Sequence, residues 1–223
     1  MLDFAAARRA MVDSQVRTSD VTDLRIVAAM LELPRERFVA RDKADLAYAD
    51  IDVPVAGVRP GEPTRRLLKP MVVAKLAQAA ELTAGDHVLD VGCASGYSAA
   101  LLAQLAGSVV ALEQDTALAK LATENLAAVG ARNAMVVTGP LTQGWPPAAP
   151  YDVIFVDGAV EIVPEVLCGQ LKDGGRLVAV LGRTPASRAM VYRSVRGDVS
   201  GWPVFDASAP LLPGFAAPTI FVF

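Results

Sequence analysis

Histidine is nearly absent from this 223-residue chain, which has only His87. Cysteine is scarce too: Cys93 and Cys168 stand far apart. That pair gives no metal-ligand spacing, and its default state is two reduced thiols in a reducing compartment. Apolar residues make up 53% of the chain, yet no unbroken run reaches the roughly 18 residues needed to span a bilayer. Residues 1–9, Met-Leu-Asp-Phe-Ala-Ala-Ala-Arg-Arg, put an acid first and the arginines after the apolar residues, the reverse of a secretory signal. These features predict a soluble, cytoplasmic protein with no membrane partner. An excess of one charge sign is also missing. With 21 basic against 24 acidic residues, the formal net charge is −3, which leaves no electrostatic footprint for nucleic acid. The length suits one domain, or one domain with a terminal extension, and is enough to bury a real core.

The chain changes texture near residue 83. Before it, residues 4–16 read as a helix. Thr18–Thr22 is a cap-rich break, and Asp23 to Leu33 reads as a second helix with Leu24, Val27, Ala28 and Leu31 on one face. Pro34 ends that helix, residues 40–63 are irregular, and a third helix runs from Pro70 to about Leu82. After residue 83, strands alternate with helices. Strands are expected at His87–Val91, Ser108–Leu112, Ala134–Thr138, Val153–Val156 and Arg176–Leu181. Helices are expected at Gly96–Ala106, Thr116–Val129 and Val163–Leu171, with a turn at Lys172–Gly175. The strands are nearly continuous apolar runs, as in a buried parallel sheet covered by helices on both faces. Met190–Val195 and Thr219–Phe223 read as antiparallel edge strands. The expected layout is one compact α/β unit: an N-terminal helical segment with a substrate-side loop over 1–82, then a ligand-binding core over 83–223.

Within that core, Gly92-Cys-Ala-Ser-Gly96 joins the first strand to the first helix, the usual place for a nucleotide in an open parallel sheet. Glycines let the backbone approach a ligand, and the helix offers free amides. The turn lacks the central glycine of Gly-x-Gly-x-x-Gly and any Gly-Lys-Ser/Thr ending, which argues against a dinucleotide site and a phosphate loop. Glu113 ends the next strand, where an acid accepts hydrogen bonds from a ribose diol, and Asp90 precedes the turn. For both acids the alternative reading is simple capping of adjacent helices. Val88-Leu-Asp-Val-Gly-x-x-x-Gly-Tyr97 with a distal glutamate resembles the S-adenosylmethionine site of class I methyltransferases, and so implies a Rossmann-like fold.

The N-terminal run is more discriminating. Met11-Val12, Gln15, Arg17, Val21-Thr-Asp23, Arg25, Pro34-Arg-Glu-Arg-Phe-Val39, Ala47-Tyr48, Asp50 and Pro54 resemble the protein-L-isoaspartate O-methyltransferases. Gly144-Trp-Pro146, Tyr151-Asp152 and Leu171–Val178 extend the match to about residue 182. The resemblance implies transfer of a methyl group from S-adenosylmethionine to the α-carboxylate of isoaspartyl residues in damaged proteins. It places the cofactor against Asp90, Gly92, Cys93, Ala94, Ser95, Gly96, Glu113, Gln114, Gly139, Pro140, Leu141 and Asp157, and the substrate against Arg66, Leu68, Lys69 and Met71. A carboxylate is already ionised at neutral pH, so it needs positioning and desolvation rather than a general base. Scarcity of histidine suits that acceptor. His87, at the strand end away from the ligand edge, is expected at the surface or in a turn.

Two departures from the family pattern stand out. Where the family has Gln-Thr-Ile-Ser-Gln-Pro, this chain has Arg65-Arg-Leu-Leu-Lys-Pro70. Arg66 takes the threonine position and Leu68 the serine position, and leucine cannot donate a hydrogen bond to a carboxylate. Where the family has Gly-Asp-Gly, with an aspartate for the adenine amino group, this chain has Gly139-Pro140-Leu141. Arg65, Arg66 and Lys69 read either as a new anion site or, as is commoner for such residues, as a solvated basic loop. Tyr97 and Trp145 read equally as pocket walls or as packing residues. A methyltransferase with a different acceptor, and a binding protein that has lost catalysis, are the alternatives these departures raise.

Overall fold

The computed structural model describes residues 3–55, 64–183 and 186–217. Helix α1 (Phe4–Met11) starts where the Asp3 side chain accepts from the amides of Ala5 and Ala6. The helix expected over 4–16 divides: α1 gives way to a π-turn at Val12–Val16 and a 3-10 turn at Arg17–Ser19. Here Ser14, Thr18 and Ser19 donate to the carbonyls of Ala10, Ser14 and Gln15, which competes with the regular ladder.

Helix α2 (Leu24–Glu32) is capped by Asp23 and buries Ile26, Val27, Ala29 and Met30. Leu24 is 72% exposed, so the apolar face is rotated from the expected one. Ile26, Met30 and Leu33 form an overlapping stripe at the same helical spacing, and tertiary packing selects it. Strands β1 (Val53–Pro54) and β2 (Arg66–Leu67) pair as a short antiparallel ladder. Helix α3 (Pro70–Ala79) then begins with proline in its first turn.

The core elements follow as β3 (His87–Val91), α4 (Tyr97–Leu105), β4 (Ser108–Glu113), α5 (Thr116–Ala128), β5 (Ala134–Thr138), β6 (Tyr151–Val160), α6 (Glu165–Cys168), β7 (Leu171–Leu181), β8 (Arg188–Val195) and β9 (Asp198–Asp206). They build one sheet in the order β5-β4-β3-β6-β7-β8-β9. The first five strands in that order are parallel, and β8 and β9 are antiparallel. Strand order reverses between β3 and β6, and such a reversal opens a crevice at the carboxyl ends of the strands.

Alternate strand residues feed two cores. Val88, Val109, Val153, Phe155 and Val178 pack with the N-terminal segment and α3–α5. Leu89, Leu112, Ile154 and Leu177 pack on the other face with α6, Leu212 and Phe215. The first core runs without a break from Met11 to Ala207.

Some expected elements change length. The helix expected over Val163–Leu171 shrinks to α6, four residues opened by Pro164. The turn expected at Lys172–Gly175 lies inside β7, where the register shifts and Gly174 takes φ +78°. Strand β9 was not expected from the sequence. The strand expected at Thr219–Phe223 lies outside the described residues. Among the described residues no helix is long and apolar enough to cross a membrane.

Candidate active site

The turn after β3 is shaped by backbone constraint. Gly92, Ala94 and Gly96 all take positive φ, at 84°, 49° and 94°, a region costly for residues with a side chain. Gly92 and Cys93 donate backbone N–H groups to Leu112 O. Ser95 Oγ donates to Phe38 O at 2.5 Å, and Asn125 Nδ2 to Ser95 O at 2.9 Å. Gly96 packs on α5, where an added Cβ would lie 3.3 Å from Ala122. The turn is thus tied to the N-terminal segment and to α5, and Cys93 within it is fully buried.

Glu113 closes β4 and is fully buried. Its carboxylate accepts from Ala94 N at 2.9 Å, Gln114 N at 2.8 Å and Asp115 N at 3.1 Å. Arg65 Nη1 reaches it at 3.3 Å, and Arg65 Nη2 donates to Gly92 O at 2.6 Å. Arg65 is only 8% exposed, so it is no part of a solvated basic loop. That reading is corrected for Arg65, because a guanidinium out of water requires a partner and finds Glu113. Arg66 and Lys69 stay half-buried. With Asp50, Asp52 and Pro210 they line an open cavity of about 470 Å³.

A second acidic group lies at the β3/β6 reversal. Ser98 Oγ, on α4, is 2.8 Å from Asp90 Oδ2 and 2.7 Å from Asp157 Oδ2. A serine hydroxyl has one proton, so it can donate to only one of them. The other contact requires a carboxyl that keeps its own proton. Burial pushes Asp157 up from the ordinary 3.8 to about 6, while Ser98, Arg65 and Arg35 pull it back. Burial, and then the Asp157 charge, hold Asp90 well above the ordinary range. Both carboxyls are therefore held toward the protonated form, and the Ser98 geometry suits a pair that keeps one proton. The two remaining oxygens, Asp90 Oδ1 and Asp157 Oδ1, are buried with no partner. Two unpartnered acidic oxygens in one crevice suit a cationic ligand.

The other predicted residues fall around this centre. Gly139 follows β5, donates to Glu113 O and packs against the Trp145 ring; Pro140 and Gln114 are exposed. Leu141 and Leu68 are each 1% exposed and belong to the two cores. Met71 is half-buried. Tyr97 packs edge-on against Phe38 and lies under the Arg35 guanidinium, 4.6 Å from its centroid. His87 differs from expectation. It is half-buried on the Tyr151 ring, with Nε2 3.0 Å from Ala148 O and Nδ1 2.7 Å from Ser108 Oγ. The carbonyl only accepts, so Nε2 carries a proton.

Sequence reasoning missed three contributors, Ser98, Arg35 and Leu212, and misread a fourth, Arg65. Ser98 directly follows the glycine-turn motif, but nothing local shows that it bridges Asp90 and Asp157. Arg35 is fully buried and donates to Ala47 O at 2.7 Å and Leu68 O at 2.5 Å, pinning the substrate-side chain to the core. Arg65 and Leu212 both approach Gly92, where an added Cβ would meet Arg65 Nη2 at 3.0 Å and Leu212 Cδ2 at 3.1 Å.

A mostly parallel sheet with this strand order, a glycine turn after its first core strand and an acid ending the next define a class I, Rossmann-like methyltransferase fold. The family model for protein-L-isoaspartate(D-aspartate) O-methyltransferase matches residues 6–201, and the chain belongs to that family. A protein-L-isoaspartate O-methyltransferase 1 of Rhodopseudomonas palustris (strain HaA2) is 40% identical over 188 residues, covering 84% of this chain and 74% of its own. The Methanoculleus marisnigri protein-L-isoaspartate O-methyltransferase is 42% identical over 175 residues, covering 78% and 77%. A solved protein-L-isoaspartate O-methyltransferase superposes with TM-score 0.81 at 27% identity, covering 93% of this chain and 66% of that one. A Plasmodium falciparum structure, described as a putative family member in complex with S-adenosyl-L-homocysteine, shares the fold with TM-score 0.76 at 18% identity, covering 92% of this chain and 97% of that one.

Proposed function

We propose that this protein is an S-adenosylmethionine-dependent O-methyltransferase that acts on the carboxylate of isoaspartyl residues in damaged proteins. Family membership over residues 6–201 carries the reading. The chemistry of the donor set supports it: a cofactor bearing a sulfonium and an ammonium suits a crevice with unpartnered Asp90 Oδ1 and Asp157 Oδ1.

The cofactor would be held by the turn residues Gly92, Cys93, Ala94, Ser95 and Gly96, by Asp90 and Asp157, and by Glu113 with Gln114 at the ribose. Gly139, Pro140 and Leu141 would border the adenine. Bound there, it supplies an electrophilic methyl group. The chain's own work is to position an acceptor carboxylate and exclude water from it, and an ionised carboxylate needs no base. Arg66, Lys69 and Met71 would border the acceptor side, with 1–82 as the substrate-side segment on the core formed by 83–223, while Leu68 between them turns its side chain into the core. The setting we infer is reducing and cytoplasmic, where Cys93 and Cys168 would stay as thiols.

Leu68 favours a second reading. Its side chain lies in the core, so this position brings no hydroxyl to an isoaspartyl carboxylate, and the acceptor could be another protein or a small molecule. Labelled S-adenosylmethionine and an isoaspartyl peptide, assayed beside its aspartyl twin, decide between the two. Transfer to the isoaspartyl peptide alone is expected. Cofactor binding without that transfer would overturn the repair role and leave a changed acceptor.

A further inference from the structure

Two side chains of this protein stand where a ligand would approach the glycine turn. Arg65 spans Glu113 and Gly92 O. Leu212 lies across the β3/β6 reversal: an added Cβ would meet it at 3.1 Å from Gly92 and 2.6 Å from Gly158. Neither contact is loosely made. Leu212 is 3% exposed, and its segment is tied to the end of β6 by Ala159 N to Pro210 O at 2.8 Å and Leu212 N to Ala159 O at 2.9 Å. Glu161 N to Phe215 O at 3.0 Å adds a third bond. On the other side, Arg65 O accepts from Val55 N at 3.1 Å, so the Arg65 backbone is fixed beside the β1–β2 ladder while its side chain reaches inward.

We propose that Arg65 and Leu212 form an internal plug over the glycine turn and Glu113, which S-adenosylmethionine must displace to bind. The proposal rests on the cofactor reading above. The guanidinium occupies the carboxylate that would take the ribose diol, and the leucine covers the glycine faces that let a ligand approach the backbone. Displacement means that the Arg65 side chain swings away from Glu113 and the Leu212 side chain away from the glycine faces. Glu113 keeps its three backbone donors, from Ala94, Gln114 and Asp115, so the acceptor remains in place once Arg65 leaves. The closed form lowers apparent affinity by the fraction of molecules that are open.

Calorimetric titration of the full chain with S-adenosylhomocysteine tests this without relying on turnover. Arg65→Gln removes the charge and keeps a polar side chain, and Leu212→Ala empties the reversal. Each variant is expected to tighten binding about tenfold over the unsubstituted protein, and the double variant more than either, as the open fraction rises. A cooperative thermal melt for each confirms folding. Binding to the unsubstituted protein that is unchanged or weakened by both substitutions overturns the plug and leaves the cofactor reading standing. Failure of the unsubstituted protein and of every folded variant to bind overturns the plug together with the cofactor reading.

Discussion

Replacing Asp157 with asparagine should make this protein more stable, and more so at higher pH. Asp157 is 4% exposed and shares Ser98 with Asp90. Burial raises its carboxyl from 3.8 to about 6. The sign follows from proton counting. Between those values the folded protein holds a proton that the unfolded chain has released, so stability falls as pH rises. The advantage of the neutral pair is fully present below about pH 3.8 and is lost as pH climbs through about 6. At about 1.4 kcal/mol per pH unit, a rise from 3.8 to about 6 amounts to about 3 kcal/mol at pH 8.

Asparagine cannot ionise. Its amide can donate to Ser98, which then donates to Asp90, so the hydroxyl bridge survives. For a chain of this length, about 3 kcal/mol corresponds to a rise in Tm of about 6–12 °C. Asp90 shifts in the same direction, from burial and the Asp157 charge, so Asp90→Asn should act likewise. The assay is thermal unfolding of Asp157→Asn and the unsubstituted protein from pH 4 to pH 8. The gain should be near zero at pH 4 and full above about pH 6. A pH-independent difference, or a variant less stable at pH 8, would refute the proton-sharing argument. The same variant should bind S-adenosylhomocysteine more weakly, since a site built for a ligand holds charge that folding alone disfavours.

Three further outcomes follow from the geometry. Glu113→Ala removes the ribose acceptor and should weaken S-adenosylhomocysteine binding by about 10- to 100-fold, the range for hydrogen bonds to a charged group; unchanged calorimetric affinity would show the assignment to be wrong. Arg35→Ala strands the Ala47 and Leu68 carbonyls in the core and should cost about 2–6 kcal/mol in denaturant unfolding, so a loss under about 1 kcal/mol would contradict that role. Leu68→Ser places a hydroxyl among the apolar neighbours of Leu68 and should destabilise by about 2–5 kcal/mol with no gain in transfer to an isoaspartyl peptide. A gain in transfer at unchanged stability would instead put that side chain at the crevice.

The sheet was legible because its central strands β3 and β4 are buried on both faces, and half-exposed β5 still reads as an apolar run. Continuous apolar runs give β3 and β5 the bounds the structure has, and β4 differs only by including Glu113. Strand β9 escaped because Gly201 and Pro203 interrupt it, and both usually demote a strand. As an exposed edge strand it tolerates proline. Its signal was the hairpin dipeptide Arg196-Gly197: both residues take positive φ, at 54° and 88°, between the paired Val195 and Asp198. At the site, Gly92 and Glu113 were readable since backbone freedom and a distal acid are local requirements. The state of Glu113 was not. Arg65, Arg66 and Lys69 are three cations in five residues, alike in sequence, and only the fold decides that the first turns inward while the others stay at a half-buried rim. Leu212 is as opaque, since its place beside Gly92 depends on a segment returning from beyond β9. Motifs therefore identify the residues a cofactor would need, whereas whether those residues are free depends on contacts distant in sequence.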